Sequence, residues 1–273
     1  MTSPIFIIGS PRSGTTVVAW ALGQHPELWT GGEFHLLWRL FGDERLENLL
    51  AKELAFPGVI RRGEVTRAQF LEDVGSGFNT LFSRLSGGRR WVDQTPVNTF
   101  MADTLAAMFP TAKFIHLLRD GREVVESMVH FGDVHTPERR RELEKLGYFP
   151  AWALEFKAAC REWTKSVEAA ERFREAHPER CMTARYKDLV TDADAFFAEI
   201  FAFLGCGPSD KPARFSRTQR INSSFADSPD PAARPAAGTS WSSDQNREFM
   251  EIAGPKLAGT EAPESESKTP SLA

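Results

Sequence analysis

Short apolar runs alternate with longer amphipathic stretches along most of the chain. Four runs are apolar almost throughout, as expected of parallel strands buried on both faces; they are Ile5–Ile8, Trp91–Val92, Lys113–Leu118 and Cys181–Arg185. Other stretches carry apolar residues at helical spacing; they are Thr15–Leu22, Asn98–Met108, Glu123–His130, Ala151–Ala176 and Asp192–Leu204. This repeated order predicts an α/β fold of three layers, with a central parallel sheet and helices on both faces.

The remaining stretches have weaker patterns. Residues 34–88 indicate irregular helices, and the polar, charged residues 132–150 predict a surface excursion. Residues 226–240, rich in Pro, Ala, Asp and Ser, predict a loop, and the composition of the final residues predicts disorder. We therefore expect one domain over residues 1–254 and a disordered tail over residues 255–273.

Length and composition suit a single large domain. The chain has 273 residues, of which 41% are hydrophobic, and a formal net charge of -4. Such a chain can bury a sizeable core, and its slight acidity excludes a global basic field that would attract nucleic acid or a membrane. The scattered cysteines, Cys160, Cys181 and Cys206, favour a reducing compartment and argue against a zinc site.

No stretch indicates a targeting or membrane segment. The apolar run Ile5–Ile8 is far too short to span a bilayer, lacks a preceding basic region and leads directly into a glycine loop. We therefore expect a soluble, cytoplasmic protein with no nucleic-acid or membrane partner. The sequence leaves the oligomeric state open.

The octapeptide GSPRSGTT, residues 9–16, has the frame of a nucleotide-binding phosphate loop with one residue changed. In the pattern G-x-x-x-x-G-K-[ST], Thr15 takes the place of the lysine, and Arg12 supplies a basic residue three positions earlier. Because a strand precedes the loop and a helix follows it, backbone N–H groups at the helix start point at an anion. The alternative is an ordinary turn that contains two glycines.

Without its lysine, the loop is poorly suited to a terminal phosphoryl group. In nucleoside triphosphatases that lysine reaches the outer phosphates and the next hydroxyl holds Mg²⁺. Here the predicted strands end near Arg119 and Tyr186, and Asp93 is the one acidic exception. A sulfuryl group on a 5′-phosphate carries less charge and needs no metal. Arg12 would then lie over the bridging oxygen, where charge develops on the leaving group.

A second motif, LLRDGREVVES, places an arginine at the end of the third predicted strand. Ser127 follows Arg119 by eight residues, roughly two helical turns, so it lies on the same side as the helix start. Arg119 can therefore give a charge-assisted hydrogen bond to a second phosphate. The alternative for Arg119 is a salt bridge at the strand end, and we interpret Asp120 and Arg122 as helix-start and surface groups.

Three motifs in this order resemble one enzyme family. GSPRSGTT, RDGREVVES and ARYKDLV resemble the sulfotransferases that use 3′-phosphoadenosine 5′-phosphosulfate (PAPS). The pairs His25–Pro26 and Gly32–Glu33 resemble the tyrosylprotein and related bacterial branch. The resemblance covers about residues 4–205 and implies a P-loop NTPase-like fold and metal-free sulfuryl transfer, with adenosine 3′,5′-bisphosphate as the second product.

The resemblance implies a role for each matched residue. The 5′-phosphosulfate would be held by Pro11, Arg12, Ser13, Gly14, Thr15 and Thr16. Arg119 and Ser127 would bind the 3′-phosphate, and Tyr186 would lie near the adenine. Gln94 stands where the family usually has a lysine that assists at the sulfuryl oxygens, so it can donate a hydrogen bond but adds no charge. Phe131 stands where the tyrosylprotein group has a further arginine.

Glu33 is the first candidate for the general base. It matches the base of the tyrosylprotein branch, and, independently, it follows two glycines after the first helix and can approach the loop. Such a base takes the acceptor proton as the oxygen attacks sulfur in line. His35 is the second candidate, and an unidentified residue is the third. A helix-start carboxylate is the alternative for Glu33, and His116 within a strand indicates a core histidine.

We expect a sulfotransferase that uses PAPS and acts on a hydroxyl of a small molecule or carbohydrate. The segments 34–90 and 132–150 would form the acceptor pocket. Four aromatic residues in the first segment and just before it either line that pocket or belong to the core: Trp29, Phe34, Trp38 and Phe41. The alternatives are a P-loop kinase that uses ATP and Mg²⁺, and a nucleotide-binding protein of the same fold that has lost catalysis, which Gln94 keeps open.

Overall fold

A computed structural model describes residues 2–42, 44–55, 65–145, 149–219 and 241–257. The predicted loop at residues 226–240 and residues 258–273 of the predicted tail lie outside the described residues. The division into a domain and a tail stays a prediction, although a short helix, Gly254–Leu257, crosses its boundary and buries Leu257.

A five-stranded parallel sheet forms the centre of the described chain, in the order β2-β3-β1-β4-β5. Its strands are β1 (Ile5–Ile8), β2 (Leu28–Thr30), β3 (Arg90–Asp93), β4 (Lys113–Leu118) and β5 (Cys181–Arg185). Ile5 aligns with Val92 on one side and with Lys113 on the other, and Leu118 aligns with Arg185. The predicted α/β class and all four predicted strands are confirmed. Strand β2 was missed, because three residues at a sheet edge give no recognisable apolar run.

Thirteen helices are described around this sheet and beside it. They are α1 (Thr15–Leu22), α2 (His35–Phe41), α3 (Arg45–Ala55), α4 (Arg67–Leu85), α5 (Ala102–Met108), α6 (Gly121–Val129), α7 (Pro137–Lys145), α8 (Phe156–Ala176), α9 (Tyr186–Thr191), α10 (Ala193–Leu204), α11 (Lys211–Thr218), α12 (Ser243–Ile252) and α13 (Gly254–Leu257). Shorter 3₁₀ segments are Pro96–Met101, Phe131–Val134 and Ala151–Ala153. The predicted surface excursion contains α7, none of whose residues is buried.

Two predicted helices are shorter than the sequence pattern indicated. The stretch predicted at Asn98–Met108 starts as a 3₁₀ helix, in which Asn98 donates to Asp93 over 2.8 Å and Thr99 donates to the Pro96 carbonyl over 2.7 Å. The stretch predicted at Ala151–Ala176 is interrupted, because Glu155 adopts an extended backbone and serves as the N-cap of α8.

The alternation of side chains along β1 explains why its sequence is apolar throughout. Ile5 and Ile7 point into a core shared with α1, α10 and α11, whereas Phe6 and Ile8 point into a core shared with α4, α5 and α8. All four side chains are fully buried, as expected for a strand with helices on both faces. A third cluster packs α12 and α13 against α6 and α8.

Because all five strands are parallel, their carboxyl ends meet at one edge of the sheet, which is where ligands bind in open α/β folds. No helix in the described ranges is long and apolar enough to cross a membrane. Cys160, Cys181 and Cys206 are free thiols.

Candidate active site

The loop between β1 and α1 is held in an unusual backbone conformation. Arg12 has a φ of 68° and Gly14 a φ of 96°, both in the left-handed region that side chains other than glycine rarely adopt. A Cβ on Gly14 would lie 2.5 Å from the Tyr186 ring, and a Cβ on Gly9 would lie 2.6 Å from the Leu117 carbonyl oxygen. Glycine at these two positions therefore lets the loop approach β4 and Tyr186 closely.

The start of α1 offers backbone donors to an anion. Gly14 is its N-cap and makes no side-chain capping bond, and the first N–H groups of a helix have no partner within the helix. The side chains of Pro11, Ser13 and Thr15 are buried beneath the loop. These residues can therefore contact a ligand through the backbone rather than through their side chains; Pro11 lacks an N–H and offers only its carbonyl.

Thr99 fixes the entrance of the loop. Its hydroxyl accepts a hydrogen bond of 2.8 Å from the Gly9 N–H and lies 3.0 Å from the Gly9 carbonyl and 2.7 Å from the Pro96 carbonyl. Sequence reasoning missed Thr99, since nothing in the local pattern indicates a contact across ninety residues.

The two sequence motifs meet through three polar side chains. The Arg12 Nε donates to Ser127 Oγ over 3.2 Å, and the Arg119 Nη1 donates to the Arg12 carbonyl over 3.2 Å. Ser127 therefore lies on the side of α6 that the spacing predicts. The salt bridge considered as the alternative for Arg119 also forms, because the Arg119 Nε lies 2.7 Å from Glu123 Oε2. Asp120 caps α6 by accepting from the Arg122 N–H over 2.7 Å, as expected.

Arg12 is a partly buried cation with a second cation, Arg119, close to it. Burial and the nearby charge of Arg119 lower the pKa of Arg12 to about 10, and the Glu33 carboxylate opposes that shift. A site that disfavours its own cation in this way gains from binding an anion.

Aromatic rings support both arginines. The Arg119 guanidinium lies 4.4 Å from the centre of the Tyr186 ring, and the Arg12 guanidinium lies 5.4 Å from the centre of the Phe131 ring. Such contacts hold a flexible cation in one place. Phe131, which stands where the tyrosylprotein group has a further arginine, therefore orients Arg12.

Glu33 and His35 form a pair at the end of β2. The His35 Nε2 lies 2.9 Å from Glu33 Oε2. The His35 side chain is half exposed and the Glu33 side chain is one-third exposed. Hydrogen bonds to the ends of β2 and β3 hold the backbone around Glu33 in place. The Gly32 N–H donates to Thr30 Oγ1 over 3.2 Å, and the Phe34 N–H donates to Asp93 Oδ1 over 3.2 Å. The Glu33 carboxylate opposes the lowering of the Arg12 pKa, which places the base candidate within electrostatic range of the loop.

Asp93 is the residue that holds this segment in place. Besides Phe34, its carboxylate accepts from the Thr95 N–H over 2.9 Å, the Thr95 hydroxyl over 2.7 Å and the Asn98 side chain over 2.8 Å. Burial raises the pKa of Asp93, and these hydrogen bonds oppose the shift. A carboxylate at the end of an apolar strand, close before Thr95–Pro96, was the available signal, but no local pattern indicated its partner Phe34.

Gln94 and Thr16 face each other across the site. Gln94 is buried, and its Oε1 accepts a hydrogen bond of 3.4 Å from the Thr16 hydroxyl. The predicted site residues therefore come from all five strand ends: the loop from β1, Glu33 from β2, Gln94 from β3, Arg119 from β4 and Tyr186 from β5. Across the described residues, no group of three or more His, Cys, Asp and Glu side chains is arranged to hold a metal ion.

The four aromatic residues left open by the sequence divide into two pairs. Phe34 and Trp29 are partly buried and pack against the core, where the Phe34 ring stacks on Phe82 at 4.8 Å. Trp38 and Phe41 pack against that core and also line a cavity. His116 is a buried core residue, as expected, and burial together with the charge of Arg174 lowers its pKa to about 4.

The contact between Glu33 and His35 leads to a first prediction. The hydrogen bond to Glu33 raises the pKa of His35 above its ordinary value of 6.5. We expect Glu33→Gln to return the His35 pKa toward that value, as measured by NMR titration of the imidazole, whereas Glu72→Gln on α4 should leave it unchanged. The raised pKa stabilises the fold below the unfolded-state pKa, and this small contribution is lost as pH rises through the folded-state value. An unchanged titration in Glu33→Gln would contradict the pairing.

Comparison with known proteins identifies relatives of the chain. A family model described as "Sulfotransferase family" matches residues 4–210. A protein-tyrosine sulfotransferase of Drosophila melanogaster is 25% identical over 207 residues, which are 73% of this chain and 37% of that protein. Protein-tyrosine sulfotransferase A of Caenorhabditis elegans is 27% identical over 218 residues, 77% of this chain and 52% of the relative. The chain thus spans about half or less of the length of these relatives.

Two solved structures share the fold. The sulfotransferase domain from the curacin biosynthetic pathway has a TM-score of 0.60 and 20% identity, and the match covers 96% of this chain and 99% of that domain. Mouse sulfotransferase SULT7A1 complexed with PAP has a TM-score of 0.52 and 16% identity, covering 94% of this chain and 85% of that protein.

Proposed function

The chain belongs to the sulfotransferase family, and from that premise we propose that it transfers a sulfuryl group from PAPS to an acceptor hydroxyl. The observation that carries the proposal is the meeting of Arg12, Ser127 and Arg119 beside a loop in the left-handed conformation. The solved mouse sulfotransferase is described as complexed with PAP, which supports a donor of this kind.

The residues fit a donor that carries two separate anionic groups. The N–H groups at the start of α1 and the Arg12 side chain would hold the 5′-phosphosulfate. Arg119 and Ser127 would hold the 3′-phosphate through charge-assisted hydrogen bonds. Tyr186, beneath the Arg119 guanidinium, would lie beside the adenine. The pKa of Arg12, lowered first by burial and then by the charge of Arg119, supports the fit, because a bound anion stabilises a buried cation.

When bound, PAPS supplies the sulfuryl group and departs as adenosine 3′,5′-bisphosphate. Glu33 accepts the proton of the attacking hydroxyl, while His35 holds one oxygen of the Glu33 carboxylate. Arg12 and the loop amides stabilise the charge that develops on the oxygen of the leaving group. Gln94 orients Thr16 at the start of α1. We assign no role to a metal ion, since the arginines supply the positive charge.

We further propose that the acceptor is a small molecule or a carbohydrate. The relatives named above are protein-tyrosine sulfotransferases, so a protein tyrosine is the competing acceptor. Incubation with sulfur-labelled PAPS and panels of phenols, sugars and tyrosine peptides, followed by mass spectrometry, distinguishes the two. Labelling of peptides alone would refute the small-molecule assignment.

A second prediction tests the donor site. We expect adenosine 3′,5′-bisphosphate to bind more tightly than ADP with Mg²⁺, and Arg119→Ala to weaken bisphosphate binding by roughly tenfold to a hundredfold, the usual value of a charge-assisted hydrogen bond. Isothermal titration calorimetry measures both. Arg122→Ala is the matched control, because Arg122 lies at the start of α6 and its guanidinium packs on Phe249 of α12. Preference for ADP with Mg²⁺ would instead support a kinase.

A further inference from the structure

A cavity of about 760 Å³ is lined by residues of α2, α3, α5 and α8 and of two 3₁₀ segments. This volume is within the range of small-molecule sites, about 300–1,000 Å³. Its apolar wall is rich in aromatic rings, which come from separate parts of the chain: Trp38, Phe41, Phe100 and Trp152. Phe100 remains 42% exposed, so the wall is open to a ligand rather than closed within the core.

Two chains of contacts join this cavity to the transfer site. Trp38 lies one helical turn beyond His35 on α2, and residues at that spacing are neighbours on a helix surface. From the other side, the ring of Trp152 lies 5.1 Å from Phe131, on which the Arg12 guanidinium rests. The cavity wall and the transfer site therefore share neighbouring residues on α2 and packed rings around Phe131.

One face of α8 gives the opposite wall of the cavity its charge. Ala158, Arg161, Glu162 and Lys165 recur at helical spacing and all line the cavity. Among the described residues, no carboxylate lies within 4.0 Å of Arg161 or Lys165, although the charge of Lys165 acts on Glu162 and opposes the raising of its pKa by burial. The cavity's other carboxylate, Glu47, lies 2.6 Å from Arg67. With Glu47 paired to Arg67, the wall carries two cations, Arg161 and Lys165, and one further carboxylate, Glu162, which leaves a net positive charge.

We propose, on the premise of the sulfuryl transfer proposed above, that the acceptor is a small hydroxylated molecule with an apolar, ring-containing body and an anionic group at its far end. The rings of Trp38, Phe41 and Trp152 contact the body. Arg161 and Lys165 bind the anionic group, and the hydroxyl points toward Glu33. Aromatic walls with few convergent charges favour such amphiphilic ligands over uniformly polar ones.

The test compares three matched probes: a hydroxynaphthyl carboxylate, its methyl ester and its primary amine analogue. Binding to the full chain is measured by calorimetry, with and without adenosine 3′,5′-bisphosphate. We expect the acid to bind about tenfold or more tightly than the ester, and the amine to bind least well. The double variant Arg161→Gln/Lys165→Gln should remove the preference for the acid, and Glu162→Gln should increase it.

Arg172→Gln serves as the matched control, because Arg172 lies on the same helix, is exposed and does not line the cavity. Equal binding of acid and ester, survival of the preference in the double variant, or binding of none of the probes would overturn the inference. These outcomes are distinct from a failure of the proposed function, which would show as no binding of the bisphosphate.

Discussion

Replacing Glu33 with glutamine is expected to lower kcat for sulfuryl transfer by about a hundred- to ten-thousandfold, the range associated with loss of a general base. The substitution keeps the size of the side chain and can keep a hydrogen bond to His35, which lies 2.9 Å away. It removes the carboxylate that would take the acceptor proton. Binding of adenosine 3′,5′-bisphosphate should not weaken, since Glu33 acts on Arg12 through its negative charge and removing that charge does not oppose a bound anion.

Single-turnover kinetics with labelled PAPS measure this loss, and calorimetry measures the bisphosphate affinity of the same variant. Glu72→Gln, an exposed carboxylate on α4, is the control for loss of one negative charge. If kcat is unchanged in Glu33→Gln but falls in His35→Asn, His35 is the base. A chain that binds the bisphosphate and shows no transfer in any variant would instead be a nucleotide-binding protein of this fold.

Asp93→Asn provides a related measure of how the base is positioned. Asp93 touches neither proposed substrate and acts through the Phe34 N–H, next to Glu33. Asparagine can accept at one oxygen only, so the Thr95 and Asn98 contacts would compete for it. We expect the structure to loosen around Glu33 and the pKa of His35 to fall, which the imidazole titration detects.

The elements that sequence predicted correctly are those with strong local signals. Ile5–Ile8 is buried on both faces, so every position is apolar and the strand is recognisable without its partners. The side of α6 on which Ser127 lies follows from helical geometry alone. Strand β2 gave no such signal, because its three residues gain their strand conformation by pairing with β3.

The contacts that sequence could not predict join residues far apart in the chain. The residue pattern and the resemblance both indicated Glu33, Arg119 and Ser127, and the structure places Arg119 and Ser127 beside Arg12. Neither the residue pattern nor the resemblance indicated that Thr99 fixes the loop at Gly9, or that Phe131 supports Arg12. Such partners depend on how the helices pack over the sheet, and a single sequence carries no direct record of that packing.

Replacing Arg12 with methionine is expected to lower kcat by about a hundred- to a thousandfold, the usual loss when one preorganised donor to a developing oxyanion is removed. Methionine keeps an unbranched stem of similar length over the Phe131 ring and removes the charge and the hydrogen bond to Ser127. The Thr15 found at the position of the usual loop lysine cannot replace that charge. Arg12 is therefore the cation that the loop can place on the leaving oxygen.

The effect of Arg12→Met should fall on the transfer step more than on binding. We expect the affinity for adenosine 3′,5′-bisphosphate to fall by a smaller factor than kcat, because the loop amides and Arg119 still contact the two phosphates. Arg122→Ala, which removes an arginine that packs on Phe249, should leave both quantities unchanged. An equal loss in affinity and kcat would mean that Arg12 only binds the donor. The loop amides and Gln94 would then be the groups that stabilise the charge on the leaving oxygen.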